Sequence, residues 1–206
     1  MSGEGSHYFD AQPATDGTRR RRTVELQGRT MEVRTAAGVF SGDRLDLGTQ
    51  VLLRHTAPVP EQGDLLDLGC GWGPLTLALA AAAPRARVWA VDVNERAREL
   101  TAANARDNGL DGVRVLAPDD VDPELAFDRI WSNPPIRIGK DALHALLLRW
   151  LPRLTPGGRA ELVVQRNLGA DSLHRWLEES LPELPVHRSA SSKGYRVLVL
   201  ERPLSP

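Results

Sequence analysis

The sequence contains very little of what disulfide-bonded, zinc-binding and membrane proteins depend on. Its 206 residues include a single cysteine, Cys70, which excludes an internal disulfide and a cysteine-based zinc site. There is no apolar run of roughly eighteen residues, the length expected of a membrane helix. Residues 1–20 carry three acidic side chains and no apolar block, so they do not resemble a signal peptide. We therefore predict a cytoplasmic protein with no membrane partner and no bound metal.

The chain also lacks an excess of charge of either sign. The formal net charge is -1, and the only lysines are Lys140 and Lys193. A nucleic-acid ligand would therefore need a local basic patch rather than the field of the whole molecule. The run Arg19–Arg22 has two interpretations, a solvated surface segment or, if other features indicate RNA, a set of phosphate contacts.

Two patterns divide the chain. Apolar and polar residues alternate from Thr23 to Leu26 and from Met31 to Arg34, on either side of a glycine, which predicts a β-hairpin. From residue 64 onward, strands alternate with helices, which predicts a parallel sheet covered on both faces. The last two strands are joined by a short turn and must be antiparallel. We predict an N-terminal extension over residues 1–55 and one α/β domain over residues 56–206.

A glycine-rich loop, DLGCGWGP at residues 67–74, leaves the first strand of this domain and opens a helix. Glycines let a ligand approach the main chain, and the helix N-terminus supplies unpaired N–H groups. Asp92 follows the next strand, where its carboxylate can accept hydrogen bonds from two ribose hydroxyls. This arrangement predicts a site for an adenosine-containing cofactor.

The spacing of the glycines favours one such cofactor. A dinucleotide fingerprint requires glycine at position 74, where this chain has Pro74. Asp67 would repel a phosphate but attract an amino group. S-adenosylmethionine has such an amino group and no phosphate, so we predict that it is the cofactor. After the third strand, either Asp119 or Asp120 is a candidate to accept the adenine amino hydrogen, and both alternatives stay open.

The segment SNPPI, residues 132–136, follows the fourth strand, at the edge where ligands bind in this type of sheet. Its prolines remove two N–H donors, so the Asn133 side-chain oxygen and the Pro134 carbonyl remain as acceptors. Two acceptors can hold both hydrogens of an exocyclic amine and direct its lone pair at an activated methyl group. Alignment of this kind can recover roughly 7–11 kcal/mol of barrier. We predict methyl transfer to an amine without a strong general base.

Together these segments resemble the small-domain class I methyltransferases of the ribosomal RNA guanine-N2 type. The resemblance covers about residues 7–202 and also includes GVFS (38–41), LDLGT (45–49), VDVN (91–94), IRIGK (136–140) and KGYRVL (193–198). It implies a Rossmann-like fold with a seven-stranded, mostly parallel sheet and an antiparallel last strand. It further implies S-adenosylmethionine as cofactor, S-adenosylhomocysteine as product, and ribosomal RNA or a ribosomal subunit precursor as partner.

The resemblance assigns roles to individual residues. Residues 40–49 would cover the cofactor, Asp67 and the glycine loop would hold its methionine part, and Asp92 would hold its ribose. The expected cofactor-binding set is Phe40, Thr49, Asp67, Gly69, Cys70, Gly71, Gly73, Asp92, Val93, Asp119, Asp120 and Asn133. The expected amine site is Asn133, Pro134, Pro135 and Ile136, and the candidate RNA contacts are Arg137, Lys140 and Lys193. Many amino-methyltransferases have an aromatic residue where this chain has Ile136.

Several other functions are compatible with parts of this pattern. The acceptor could be a protein glutamine amide or a small-molecule amine, because both would use the same amine site. A nicotinamide-dependent oxidoreductase would explain the fold and Asp92, although Pro74 and the Asn-Pro-Pro segment disfavour it. A non-catalytic RNA-binding module would require a cofactor site that no longer binds.

Overall fold

The computed structural model describes residues 20–36 and 45–204. The strands and α-helices of this part of the chain, in order, are β1 (Arg20–Leu26), β2 (Arg29–Thr35), α1 (Leu47–His55), β3 (Asp64–Leu68), α2 (Pro74–Ala82), β4 (Arg87–Val91), α3 (Glu95–Asp107), β5 (Val113–Leu116), β6 (Phe127–Ser132), α4 (Lys140–Trp150), β7 (Leu154–Gln165), α5 (Ala170–Ser180), β8 (Val186–Ser192) and β9 (Tyr195–Glu201). Every helix in these residues is too short or too polar to span a lipid bilayer.

Seven of the strands form one sheet in the order β5-β4-β3-β6-β7-β9-β8. The five neighbouring strands β5, β4, β3, β6 and β7 pair in parallel, and β9 is antiparallel to both of its neighbours. Strand β9 lies between β7 and β8 because the short turn before it folds it back into the sheet. The predicted seven-stranded sheet with an antiparallel last strand is confirmed.

The strand order reverses beside β3. The chain leaves β3 through β4 and β5 to one side, then returns to β6 on the other side of β3. The loops after β3 and β6 therefore leave neighbouring strands at the same edge and diverge. Ligands in open α/β sheets bind at such a switch point. The glycine loop follows β3, and the Asn-Pro-Pro segment follows β6.

Apolar residues on the two faces of the sheet form two separate cores. Successive strand residues point to opposite faces, so Leu65 joins the cluster beneath the hairpin, α1, α2 and α3, whereas Leu66 joins the cluster beneath α4 and α5. Helix α2 is apolar on nearly all sides, since seven of its nine residues are buried. A fully buried leucine of this kind contributes about 1.5–3 kcal/mol through removal of its side chain from water.

The N-terminal hairpin of β1 and β2 is confirmed, and it packs on the main core. Gln27 and Gly28 form its turn with positive φ angles of 49° and 77°, as a tight hairpin with right-handed strand twist requires. Leu26, Met31 and Val33 are buried in the same cluster as α2 and α3. The division at residues 55 and 56 stays a prediction, although the hairpin and α1 share the core of the α/β unit.

Three predicted segments differ from the structure. Strand β1 begins at Arg20 rather than at Thr23, where the predicted alternation starts, because Arg20–Arg22 pair with residues 33–35 of β2. The sequence predicts a short helix over residues 50–54, but α1 begins at Leu47, since Asp46 caps it. The sequence predicts a strand over residues 160–164, but β7 is longer, because its first residue, Leu154, already pairs with Phe127. Arg19, Phe40 and residues 38–41 lie outside the described residues.

Candidate active site at the switch point

The glycine loop connects the end of β3 to the first turn of α2. The N–H groups of Gly69 and Cys70 both donate to the carbonyl of Val91, at 2.8 and 3.1 Å, which ties the loop to the end of β4. Gly69 has a φ of +82°, and a Cβ added there would meet no atom of the described residues within 4 Å. Gly73 caps α2 in the left-handed conformation, and Pro74 is the first helical residue. The loop therefore leaves open space beside its backbone.

Asp67 is a fully buried carboxylate with one oxygen satisfied and the other not. Its Oδ2 accepts hydrogen bonds from the Thr76 backbone N–H at 2.8 Å and from the Thr76 hydroxyl at 2.6 Å. Its Oδ1 is buried and has no hydrogen-bond partner among the described residues. Burial raises the pKa of Asp67 to about 7. An orphaned acceptor of this kind suits a ligand that brings its own donor, such as an amino group.

Asp92 links the end of β4 to the glycine loop. Its Oδ2 accepts from the Gly71 N–H and its Oδ1 from the Asn94 N–H, both at 2.9 Å. Burial raises the pKa of Asp92 despite these two bonds. Each carboxylate oxygen can accept more than one hydrogen bond, so the group retains capacity for hydroxyls. The next residue, Val93, is 45% exposed.

Asn133 lies at the end of β6, directly beside the end of β3. The Ser132 hydroxyl donates to the Leu68 carbonyl at 2.7 Å and joins the two strand ends. The Asn133 side-chain N–H₂ group donates to Asp46 Oδ2 at 2.7 Å and to Thr49 Oγ1 at 3.1 Å. A carboxylate can only accept, so this contact determines which way the amide faces. The amide oxygen on the opposite side is left as an acceptor.

The two loops enclose a small cleft. Its lining consists of Asp46, Thr49, Asp67, Gly69, Cys70, Gly71, Trp72, Pro74, Leu75 and Asn133. Six of the residues predicted to bind the cofactor are therefore brought together, namely Thr49, Asp67, Gly69, Cys70, Gly71 and Asn133. Two further predicted residues support the loop: Gly73 donates to the Cys70 carbonyl at 2.9 Å, and Asp92 accepts from Gly71.

Asp46 is the polar residue of the cleft that the sequence patterns did not single out. It caps the N-terminus of α1 by accepting from the Thr49 N–H at 3.0 Å, and it also orients Asn133. A helix-capping pattern, Asp-x-x-Thr, precedes α1 and could have indicated the cap. The contact with Asn133 had no such signal because 87 residues separate the two positions.

Other predicted residues do not line the cleft. Asp119 and Asp120 lie in a short 3₁₀ turn, Pro118–Asp120, after β5. The Asp119 side chain is 90% exposed and pairs with Arg149 at 2.8 Å. Adenine recognition by either aspartate therefore stays a prediction, as does the cofactor contact of Phe40.

The remaining residues of the Asn-Pro-Pro segment form a tight turn. The Pro134 carbonyl accepts from the Ile136 N–H at 2.8 Å, which engages one of its two lone pairs. Pro135 precedes a 3₁₀ turn over Ile136–Ile138. The proposed grip on an amine by the Pro134 carbonyl would thus use its second lone pair.

The basic residues predicted to contact RNA are exposed around this edge. Arg137 follows the Asn-Pro-Pro segment, Lys140 begins α4, and Lys193 occupies the turn between β8 and β9. The Arg166 N–H donates to the Gly194 carbonyl at 2.8 Å, which ties the loop after β7 to that turn. No cluster of three or more His, Cys, Asp or Glu side chains with metal-binding geometry occurs in the described part of the chain.

Comparison with known proteins identifies the family of the chain. The model for the methyltransferase small domain matches residues 30–199. The chain belongs to the methyltransferase small-domain family. The prediction of a class I methyltransferase is therefore confirmed, and the family counts against a nicotinamide-dependent oxidoreductase.

Three similar proteins illustrate the range of this family. A Bacillus subtilis (strain 168) protein named YbxB is 33% identical over 195 residues, which cover 93% of this chain and 96% of YbxB. Ribosomal RNA small subunit methyltransferase C of Salmonella choleraesuis is 37% identical over 65% of this chain and 40% of its own length. The T. thermophilus 16S rRNA N2 G1207 methyltransferase (RsmC), solved with AdoMet and guanosine, superposes with a TM-score of 0.76. It is 27% identical, over 93% of this chain and 52% of the RsmC chain.

Proposed function

We propose that this protein transfers a methyl group from S-adenosylmethionine to an exocyclic amine of ribosomal RNA, with guanine N2 as the target. The observation that carries the proposal is the orientation of Asn133, whose N–H₂ group is held by Asp46 and Thr49. This contact leaves an amide oxygen as an acceptor beside a cleft that Asp67 also lines. The similarity to an RsmC structure that contains AdoMet and guanosine supports the same function.

The residues of the cleft fit the cofactor that this reaction needs. The buried Oδ1 of Asp67 has no hydrogen-bond partner within residues 20–36 and 45–204, and the amino group of a methionine moiety would supply one. The space beside Gly69 would let the methionine part of the cofactor lie against the loop backbone. Asp92 would accept hydrogen bonds from ribose hydroxyls. When bound, S-adenosylmethionine supplies a methyl group already activated by its sulfonium.

The chain's own residues act mainly on the acceptor amine. The amine of guanine is a poor nucleophile because its lone pair is delocalised into the ring. Two acceptors, the Asn133 amide oxygen and the free lone pair of the Pro134 carbonyl, would hold the two hydrogens of the amine. The lone pair of the nitrogen would then point at the methyl carbon, and correct alignment lowers the barrier by roughly 7–11 kcal/mol. The new carbon–nitrogen bond would replace the methyl–sulfur bond, and the methylated amine would release one of its two protons to water.

The choice of RNA as the acceptor rests on similarity and on exposed basic side chains. Arg137, Lys140 and Lys193 are exposed at the carboxyl edge of the sheet, and cations at this position would contact phosphates. The chain spans about two-fifths to one-half of the ribosomal RNA methyltransferases it matches. The substrate of those proteins is therefore a proposal for this chain, and protein amides and small amines stay as alternatives.

The test is a labelling experiment with matched variants. Purified protein is incubated with methyl-labelled S-adenosylmethionine and ribosomal RNA from cells that lack its gene, and the digested nucleosides are identified by mass spectrometry. We expect label in N2-methylguanosine with the unaltered protein and labelling that is about 100- to 1,000-fold slower with Asn133→Ala. Label in another nucleoside would retain RNA but overturn the guanine target. If RNA and ribosomal subunits both remain unlabelled while the cofactor binds, the RNA proposal is wrong.

A further inference from the structure

The segment after the two prolines does not present an aromatic surface to the cleft. Ile136 is half-buried and packs against the apolar cluster beneath α4 and α5. Proteins that bind unpaired nucleobases commonly stack them on an aromatic side chain. A purine held by Asn133 would therefore need an aromatic group from another part of the chain.

Tyr195 lies at the same edge of the sheet. It is the first residue of β9, and it pairs with Gln165, the last residue of β7. Because β9 is antiparallel to β7, its beginning lies where β3, β6 and β7 end. The Tyr195 side chain is half-buried and packs against the cluster on the α1 side of the sheet. It therefore lies on the opposite face from the cluster that holds Ile136.

Gly48 brings Tyr195 next to the residues that orient Asn133. A Cβ placed on Gly48 would lie 2.9 Å from the Tyr195 ring carbon Cε1 and 2.9 Å from Asp46 Oδ2. The same Asp46 oxygen accepts the hydrogen bond from Asn133. The edge of the Tyr195 ring and the Asp46 carboxylate therefore both lie next to the Gly48 backbone. Any side chain at position 48 would collide with both groups.

The electrostatic surroundings of the Tyr195 hydroxyl agree with this placement. Burial, followed by the negative charge of Asp46, raises the pKa of Tyr195, and the positive charge of Arg137 lowers it in part. The hydroxyl is therefore neutral at physiological pH, so the ring carries no charge that would oppose a purine. Asp46 contacts Asn133, and Arg137 lies in the turn that follows the Asn-Pro-Pro segment.

We propose that Tyr195 is the side chain on which the target base stacks while Asn133 holds its amine. This inference rests on the proposed function, and it names a residue that determines the class of acceptor. A ring at this position would favour a flat nucleobase over an aliphatic amine or a glutamine side chain. Base stacking on an aromatic side chain tolerates any base, so the choice of guanine would stay with the acceptors on the amine.

A purely structural role for Tyr195 leads to different expectations. In that case the ring only fills the space between Gly48 and β9, and a leucine would replace most of its packing. Loss of the ring would then disturb α1, and with it the orientation of Asn133 and the maximal rate. A stacking role requires aromaticity itself, so phenylalanine should substitute and leucine should not.

The experiment compares Tyr195→Phe, Tyr195→Leu and Tyr195→Ala with the unaltered protein. Guanosine is titrated in the presence of S-adenosylhomocysteine, and binding is followed by saturation-transfer NMR. We expect Tyr195→Phe to bind as the unaltered protein does, and the other two variants to bind roughly 5- to 100-fold more weakly. The affinity for S-adenosylhomocysteine should be the same in all four proteins. With ribosomal RNA as substrate, KM should rise in the leucine variant with little change in kcat.

The outcomes separate this inference from the proposed function. Equal guanosine binding by Tyr195→Leu and the unaltered protein would overturn the stacking role, and so would a failure of the unaltered protein to bind guanosine. A fall in kcat with unchanged KM would also overturn it, because that result indicates a role through Asn133. If guanosine binding follows the expected order but ribosomal RNA is not methylated, stacking stands and the ribosomal substrate is wrong.

Discussion

The two sides of the cleft are constructed in different ways. On the cofactor side, Asp67 is bonded to Thr76, nine residues away, and Asp92 to Gly71, 21 residues away. On the acceptor side, Asn133 is bonded to Asp46 and Thr49, which precede it by 87 and 84 residues. The cofactor side is therefore encoded by short-range patterns, whereas the acceptor side exists only once α1 has packed against the sheet.

This difference predicts that substitutions on the two sides affect different properties of the enzyme. Changes on the acceptor side should reduce the rate of methyl transfer and leave cofactor affinity intact. Changes on the cofactor side should act on affinity first. Five predictions follow, from the largest expected effect on transfer to the smallest.

The strongest test is Asn133→Ala. Removal of the amide oxygen takes away an acceptor that aligns the amine, and the loss of one such oriented polar group lowers kcat by about 100- to 1,000-fold. Affinity for S-adenosylmethionine, measured by calorimetry, should change by less than about twofold, because the lost oxygen acts on the amine. A tenfold change would correspond to about 1.4 kcal/mol. Rates near those of the unaltered protein would mean that another group holds the amine.

Asp46 should have the next largest effect. Asp46→Ala removes the carboxylate that orients Asn133 and also the cap of α1, which costs about 1 kcal/mol of stability. We expect transfer to fall by at least about tenfold, as misalignment of reacting groups predicts. Asp46→Asn is the matched control, because asparagine caps helices well and can still accept from Asn133. A weaker effect of alanine than of asparagine would contradict the orienting role.

Asp67 should make cofactor binding depend on pH. Its pKa is raised to about 7 by burial, so the carboxyl holds its proton in the free protein below that pH. The amino group of the cofactor needs the ionised form, and affinity should fall as pH decreases below about 7. In Asp67→Asn the affinity should be lower and nearly independent of pH between 5 and 8, as titration calorimetry would show.

The same shift has a consequence for stability without cofactor. The folded-state pKa of Asp67 lies above its ordinary value of 3.8, so the folded protein binds more protons than the unfolded chain between about pH 4 and 7. Its contribution to stability is present below pH 4 and is lost as pH rises through 7. Asp67→Asn should flatten this part of the curve of melting temperature against pH. An unchanged curve would indicate that Asp67 ionises normally.

Glu161 should affect stability with the least effect on the chemistry. Its carboxylate is fully buried and accepts from Arg129, from the Trp131 indole N–H at 2.6 Å, and from the Ala57 N–H just after α1. Glu161→Gln leaves the buried Arg129 without its counter-charge, which typically costs about 3–5 kcal/mol. We expect a lower melting temperature and an unchanged affinity for S-adenosylmethionine. If the binding free energy of the cofactor fell by as much as the free energy of unfolding, the separation of the two sides would be contradicted.

Much of the fold followed from patterns of short range. Alternation of strands and helices, the glycine loop and the turn before β9 each depend on residues close in sequence, and the seven-stranded sheet agrees with them. Errors arose where long-range pairing extends an element. The start of β7 depends on its contact with Phe127, and the arginines of β1 are in a strand because β2 lies beside them.

The sequence by itself determined the family, the sheet and the cofactor loop, because glycines, prolines and apolar periodicity act on the backbone within a few residues. Only the tertiary structure decided how the acceptor side is assembled. The Asp46 carboxylate determines the direction of the Asn133 amide, and Gly48 leaves room for the Tyr195 ring beside it. These contacts join α1, β6 and β9, and no local pattern encodes them, because a side chain's partner across the fold depends on how whole elements pack.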